Sequence, residues 1–233
     1  MTNKIAILCP ILFNDPPNTS FKETSFYKNT LYSFMQTYDK NQQYMFFIGI
    51  QNKQNTFNNI ETQNELKRFV SVMINVNLEF FYITDKSLSL VSMWNFLSNI
   101  SCKNNYEYYI NITDNNLFET NGWIQTSLLR LKQNNNIGFV YFMDNEKKGT
   151  TVMIHQRHLN ALKYFFHDNL VFDYWIQWFE NIYPKKYSVY LNNFNIINKQ
   201  PFLKKQLAQS YINLMIKNDT IKLKRIFNYI YQE

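Results

Sequence analysis

The sequence predicts an α/β fold: a three-layer sandwich around a mostly parallel (mixed) sheet, with a helical extension at the C-terminus. Three observations predict it. Short apolar runs alternate with segments of helical periodicity over roughly 140 residues, the pattern of successive βαβ units. The strand runs are apolar throughout, as expected of strands covered on both faces. No Pro/Gly/Ser-rich linker interrupts the 233 residues, so one domain is expected over 1–233, with the extension from about 201.

Taken in order, Lys4 to Phe13 reads as a buried first strand, closed by the turn residues Asn14-Asp15-Pro16-Pro17. Ser25 to Thr37 carries Phe26, Leu31, Phe34 and Met35 near helical spacing, and Tyr44 to Ile50 is a second apolar strand. An Asn- and Gln-rich loop runs from Gln51 to Gln63, followed by a helix from Glu65 to about Ile74 and a strand from Leu78 to Ile83. A helix over about Leu88 to Ile100 precedes a strand from Tyr106 to Ile112, which breaks at Asp114-Asn115-Asn116. Trp123 to Gln133 is helical, and Ile137 to Met143 is a strand ending in Asp144-Asn145-Glu146. Beyond Thr150 come a strand at Thr151 to Ile154, a helix from Arg157 to Phe166, an aromatic stretch from Phe172 to Tyr183, and an amphipathic helix within Leu203 to Ile230.

Composition narrows the function. Apolar residues make up 45% of the chain, enough for a packed core and against global disorder. The two cysteines, Cys9 and Cys102, lie in apolar stretches and fit a reduced compartment. The first residues lack a basic leader and a long apolar run, and no later run reaches the length of a membrane span, so a cytoplasmic protein without a transmembrane segment is expected. The net charge of +7 suggests an anionic partner, and its excess crowds the last fifth of the chain. A solvated helix face explains that cluster most simply, and nucleic acid is not expected as a partner. Four glycines provide no Gly-rich phosphate loop, which argues against dinucleotide binding of the Rossmann kind and P-loop chemistry, and no nucleophile elbow is present.

In an open α/β sheet, ligands bind outside the carboxyl ends of the strands. The most polar strand end here is Thr113-Asp114-Asn115-Asn116. An acid there can hold a divalent cation that neutralises a diphosphate, and the same residue types also make a tight turn. His155 and His158 are three apart with no acid at metal-ligand spacing, so a packing role or a phosphate contact by His155 and Arg157 is expected instead.

Several motifs occur in an order that resembles GT-A-type glycosyltransferases, in particular a lineage common in large DNA viruses. They are Val91-Ser92-Met93-Trp94-Asn95-Phe96-Leu97, Tyr108-Tyr109, Asp114-Asn115-Asn116-Leu117-Phe118 and Thr120-Asn121-Gly122-Trp123. Later come Asn136-Ile137-Gly138, Arg157-His158 and Phe172-Asp173-Tyr174-Trp175, so that the resemblance covers about Lys4 to Tyr183. It implies transfer of a sugar from a UDP- or GDP-linked donor to a hydroxyl of a glycan or protein. By the resemblance, Pro10, Leu12, Gln51, Asn95, Thr113, Asp114, Asn115, Asn116, Trp123, His155 and Arg157 bind the nucleotide sugar, and Trp175 meets the acceptor. Asp114 is the metal-site acid for Mn2+ or Mg2+, and Asp173 the catalytic base. The chain departs from the family where Asp-Asp becomes Asp114-Asn115, where Asp-Asp-Trp becomes Asp173-Tyr174-Trp175, and in the loop Gln51-Asn52-Lys53-Gln54. Each amide in place of a carboxylate removes a negative charge, so weak metal affinity is expected. The same departures motivate an alternative: a catalytically degenerate GT-A module that binds nucleotide sugar or glycan without turnover.

Overall fold

A computed structural model describes residues 2–12, 15–16, 19–51, 55–85, 88–143, 149–170, 174–198 and 209–231. In chain order its strands are β1 (Lys4–Ile11), β2 (Gln43–Ile50), β3 (Val76–Tyr82), β4 (Tyr108–Asn111), β5 (Asn116–Phe118), β6 (Phe139–Met143), β7 (Gly149–His155), β8 (Ser188–Tyr190) and β9 (Ile196–Asn198). The helices are α1 (Tyr32–Thr37), α2 (Ile60–Val70), α3 (Leu90–Ser101), α4 (Trp123–Gln133), α5 (Gln156–Leu162), α6 (Trp175–Ile182) and α7 (Gln209–Ile226). Seven strands form one sheet in the order β3-β2-β1-β4-β7-β6-β8, and β5 pairs with β9 in a small second sheet. Only β7 opposes the common direction, since β1-β2, β1-β4, β2-β3 and β6-β8 are parallel while β4-β7 and β6-β7 are antiparallel. The α/β fold with a mostly parallel, mixed sheet is therefore as the sequence indicates.

Alternation along β1 shows why the sheet is covered twice. Ile5, Ile7 and Cys9 point into a cluster with Phe26, Leu31 and Phe34 of the first helical segment, Leu66 of α2 and Ile124 and Leu128 of α4. Ala6 and Leu8 point into the opposite cluster, with Trp94 and Leu97 of α3, Leu159 of α5, Trp178 of α6 and Met215 of α7. Helices on both faces of a parallel sheet make the three layers. Gly138 is required where β6 begins. Its φ is +90°, and a Cβ there would lie 2.1 Å from the Tyr187 carbonyl oxygen, so only glycine lets β6 approach the chain entering β8.

Element boundaries differ from the expectation in a few places. The segment expected as one helix from Ser25 divides into a π-helical turn over Phe26–Leu31 and the short α1. Helix α2 starts at Ile60 rather than Glu65, because Asn59 caps it by accepting the Glu61 N–H. Helix α5 ends at Leu162, where Lys163 turns left-handed, so Tyr164 to Phe166 follow it as a bend. Asp144-Asn145-Glu146 lie outside the described residues. None of the described helices is long and apolar enough to cross a membrane.

The α5-α6 layer has a built-in acid sensitivity. His158 is buried, with Nε2 3.0 Å from the Phe165 carbonyl and Nδ1 2.9 Å from the Tyr183 hydroxyl. A carbonyl only accepts, so Nε2 carries the proton and Tyr183 donates to Nδ1. Burial pushes the His158 pKa down to about 4. A depressed histidine pKa means that the unfolded chain takes up protons first; the stabilisation is complete above the unfolded value of about 6.5 and is lost as pH falls toward 4. At pH 4.5 the His158 contribution to that loss is on the order of 2–3 kcal/mol. Urea unfolding at pH 7 and pH 4.5 should show this share of the acid loss disappearing in His158→Gln. An equal acid loss in both proteins would exclude His158 as its source.

Candidate functional site

Strand order reverses around β1: β2 and β3 lie to one side, and β4 to the other. The carboxyl ends of β1 and β4 thus flank the sheet's topological switch point, where open α/β sheets bind ligands. Asp114 stands there, three residues beyond the end of β4, and its Oδ2 accepts the N–H of Leu12 just past β1 at 3.1 Å. The carboxylate ties the two strand ends together. It is wholly buried, in a turn over Asp114 and Asn115 that the Asn116 N–H closes on the Thr113 carbonyl at 3.4 Å, as an Asp-Asn-Asn sequence allows. Its negative charge, after burial itself, pushes the Cys9 thiol up, which leaves Cys9 protonated and inert in the core.

The residues after Asp114 are fixed by a dense amide and hydroxyl network. Asn116 Oδ1 accepts the Thr113 N–H at 2.6 Å and its hydroxyl at 3.0 Å, so the side chain replaces a backbone turn bond. Asn116 Nδ2 donates to the Thr151 hydroxyl at the start of β7 (3.1 Å), and its backbone N–H donates to the Thr30 hydroxyl (3.0 Å). Thr30 in turn donates to the Thr113 carbonyl at 3.0 Å, and Asn29 Nδ2 donates to Asn115 Oδ1 at 2.7 Å. Asn29 and Thr30 belong to the π-helical turn, whose wider spacing turns both toward the β4 end. Asn29, Thr30 and Thr151 escaped sequence reasoning; Asn29 and Thr30 sit in an ordinary amphipathic stretch, and no spacing signal announces a π turn.

Other expected site residues are distributed differently. Pro10 is in β1 opposite Gly49, and Gln51 leaves the end of β2, donating to the Asp85 carbonyl at 2.8 Å, so Pro10, Leu12 and Gln51 share the carboxyl edge with Thr113 to Asn116. His155 and Arg157 do not. His155 pairs with Tyr108, the first residue of β4, which puts it at the opposite edge, about 10 Å along the strand from the Asn111 end at ~3.3 Å per residue. There His155 Nδ1 accepts the Arg157 N–H, capping α5, and the Arg157 guanidinium donates to the Asn135 carbonyl. The antiparallel β7 carries this pair, expected at the donor phosphate, to the edge opposite Asp114.

Asn95 is engaged elsewhere. Its Oδ1 accepts the N–H groups of Phe165 and Phe166, and its Nδ2 donates to the Phe166 carbonyl and to Asp168, which uses its full hydrogen-bonding capacity to hold the bend after α5. Trp123 is buried with its ring stacked 4.8 Å from Phe118, and Trp175 is 2% exposed between Trp94 and Phe166, so both indoles are core rather than ligand contacts. Asp173 and Phe172 lie outside the described residues, as do Lys53 and Gln54.

A hard divalent cation takes six or more oxygens, charged ones above all. Among the described residues no group of three His, Cys, Asp or Glu could hold a metal, and Asp114 contributes one carboxylate with one oxygen already taken by Leu12. These residues alone do not fit a metal ion.

No protein-family model and no curated protein matches the chain. Solved structures do. Residues 1–349 of S. aureus TarS superpose with a TM-score of 0.57 at 9% identity, over 97% of this chain and 73% of that one. The longer TarS structure gives 0.53 at 11% identity, and this chain spans less than half of it, 43%. A Bacillus anthracis protein assigned as a glucose-1-phosphate thymidylyltransferase, in complex with sucrose, gives 0.51 at 9% identity over 94% of this chain and 96% of that one. At these identities what is shared is the fold: the mixed seven-stranded sheet flanked by helices is the GT-A-like architecture expected from the sequence motifs.

Proposed function

We propose that the chain is a GT-A-type glycosyltransferase that moves a sugar from a UDP- or GDP-linked donor to a hydroxyl of a glycan or protein. One observation carries the reading: a buried carboxylate, Asp114, sits at the switch point and bonds Leu12, joining the ends of β1 and β4. In this reading Pro10, Leu12 and Gln51 flank the nucleotide, and Thr113 to Asn116 form the floor beneath the diphosphate. The acceptor oxygen attacks the anomeric carbon, the bond from that carbon to the diphosphate oxygen breaks, and the nucleoside diphosphate leaves with the electron pair. The acceptor proton passes to a carboxylate, for which Asp173 is proposed. Mn2+ or Mg2+ is a variable of the assay and carries no step here.

The complete burial of Asp114, with Asn115 already bonded to Asn29, favours a second reading, a module that binds donor or glycan without turnover. A panel of UDP- and GDP-sugars, with and without each ion, separates the two. Release of nucleoside diphosphate from one donor is the expected result, and release of pyrophosphate instead would mean nucleotidyl transfer. Binding without release of either product supports the module; no response to any nucleotide sugar removes the transferase reading, and the absence of glycan binding as well removes the module.

A further inference from the structure

The charge cluster has no place in sugar transfer, and the structure orients the part of it that lies in α7. Between residues 199 and 225 there are seven Lys or Arg and one acid, Asp219, a local net of +6 against +7 for the whole chain. In α7 that one acid is turned inward. Asp219 is wholly buried, accepting the Trp178 Nε1–H at 3.0 Å and the Tyr164 hydroxyl, and Ile212, Met215 and Leu223 are buried beside it. Every charge on the outward arc is positive: Lys217, Lys224 and Arg225 are exposed there, with Lys222 at its margin held 3.1 Å from Asp219. Between the cations stand exposed apolar side chains, Leu214 at 53%, Ile221 at 41% and Tyr211 at 40%. At 100° per residue, Lys217, Ile221, Leu214 and Arg225 fall within one quadrant of the helix, opposite the docked face.

We propose that this face binds an anionic lipid surface, lying flat with Leu214 and Ile221 in the headgroup boundary and Lys217, Lys224 and Arg225 reaching to acidic headgroups. A basic face that also presents apolar side chains is the signature of interfacial helices, which combine apolar burial with attraction to anionic lipid. A nucleic-acid backbone would engage the cations and leave Leu214 and Ile221 in water, so lipid accounts for both halves of the face. The proposal is independent of the sugar-transfer reading.

Co-sedimentation of the full chain with vesicles tests it. Binding to phosphatidylcholine vesicles containing phosphatidylglycerol is expected, with at least tenfold weaker binding to phosphatidylcholine alone. Near-surface attraction is worth about fivefold per cation, so Lys217→Glu/Lys224→Glu/Arg225→Glu should bind the anionic vesicles at least tenfold more weakly while keeping its far-UV spectrum. Leu214→Gln/Ile221→Gln should retain binding at low salt and lose what persists at ~0.5 M salt, where charge attraction is screened. Wild-type failure to bind anionic vesicles, equal binding by the triple variant, or tighter binding to a DNA duplex than to the vesicles would overturn the proposal.

Discussion

Asp114→Asn is expected to lower release of nucleoside diphosphate from the donor by about a hundredfold or more while the protein stays folded. The substitution is chosen because an amide oxygen can accept the Leu12 N–H as the carboxylate does, so the tie between β1 and β4 survives and only the charge is lost. A carboxylate beneath a diphosphate can favour its departure only through a cation shared with the donor phosphates, so the loss is expected in the arms of the assay that contain Mn2+ or Mg2+. One such electrostatic contact at a reacting centre is typically worth about 10²–10³ in rate, about 3–4 kcal/mol. Steady-state kinetics at saturating donor, alongside the melting curve, give the comparison. A rate within threefold of wild type would make Asp114 a purely structural tie and move the chemistry elsewhere. A variant that loses both activity and its melting transition would be reread through Asp114→Glu, which keeps the charge.

The second large effect concerns the C-terminal helix. Asp219→Ala is expected to destabilise the protein by about 2–4 kcal/mol, because it leaves the buried indole N–H of Trp178 without its acceptor and takes the acceptor from the half-buried Tyr164 hydroxyl. Urea unfolding followed by tryptophan fluorescence reads it directly. Asp219→Asn should cost about half as much, since one oxygen remains to accept and the amide N–H2 must oppose a donor on the other side. A loss under 1 kcal/mol in Asp219→Ala would show that apolar contacts of Ile212, Met215 and Leu223 dock α7 unaided.

What the sequence made legible follows a physical division. β1, β2 and β4 and the helices beside them were readable because strands buried on both faces are short, continuous apolar runs, and Leu66, Val70, Trp94 and Leu97 keep helical spacing. Strand direction is not written in such a run, and that misplaced His155 and Arg157. A signal did exist: only five residues separate Met143 from Gly149, too few for a crossover, so β6 and β7 must form a hairpin that returns the chain to the amino edge. The aromatic residues misled for a related reason. Trp123 and Trp175 lie near strand and helix ends where a ligand would be, yet indole burial against Phe118 and Phe166 outweighs exposure to solvent. The polar floor around Asp114 was legible at Thr113 to Asn116 and not at Asn29, Thr30 or Thr151, since residues 35 to 86 apart in sequence meet there only through the sheet's topology.

The central claim, that the crevice between the ends of β1 and β4 receives a nucleoside diphosphate, is tested most directly by a crystal structure with UDP and Mn2+. The account predicts the diphosphate above Leu12 and Thr113 to Asn116, at the carboxyl edge. Nucleotide bound instead in the ≈260 Å³ groove that Arg130 of α4 and Tyr190 of β8 help to line, with the crevice unchanged, would contradict it.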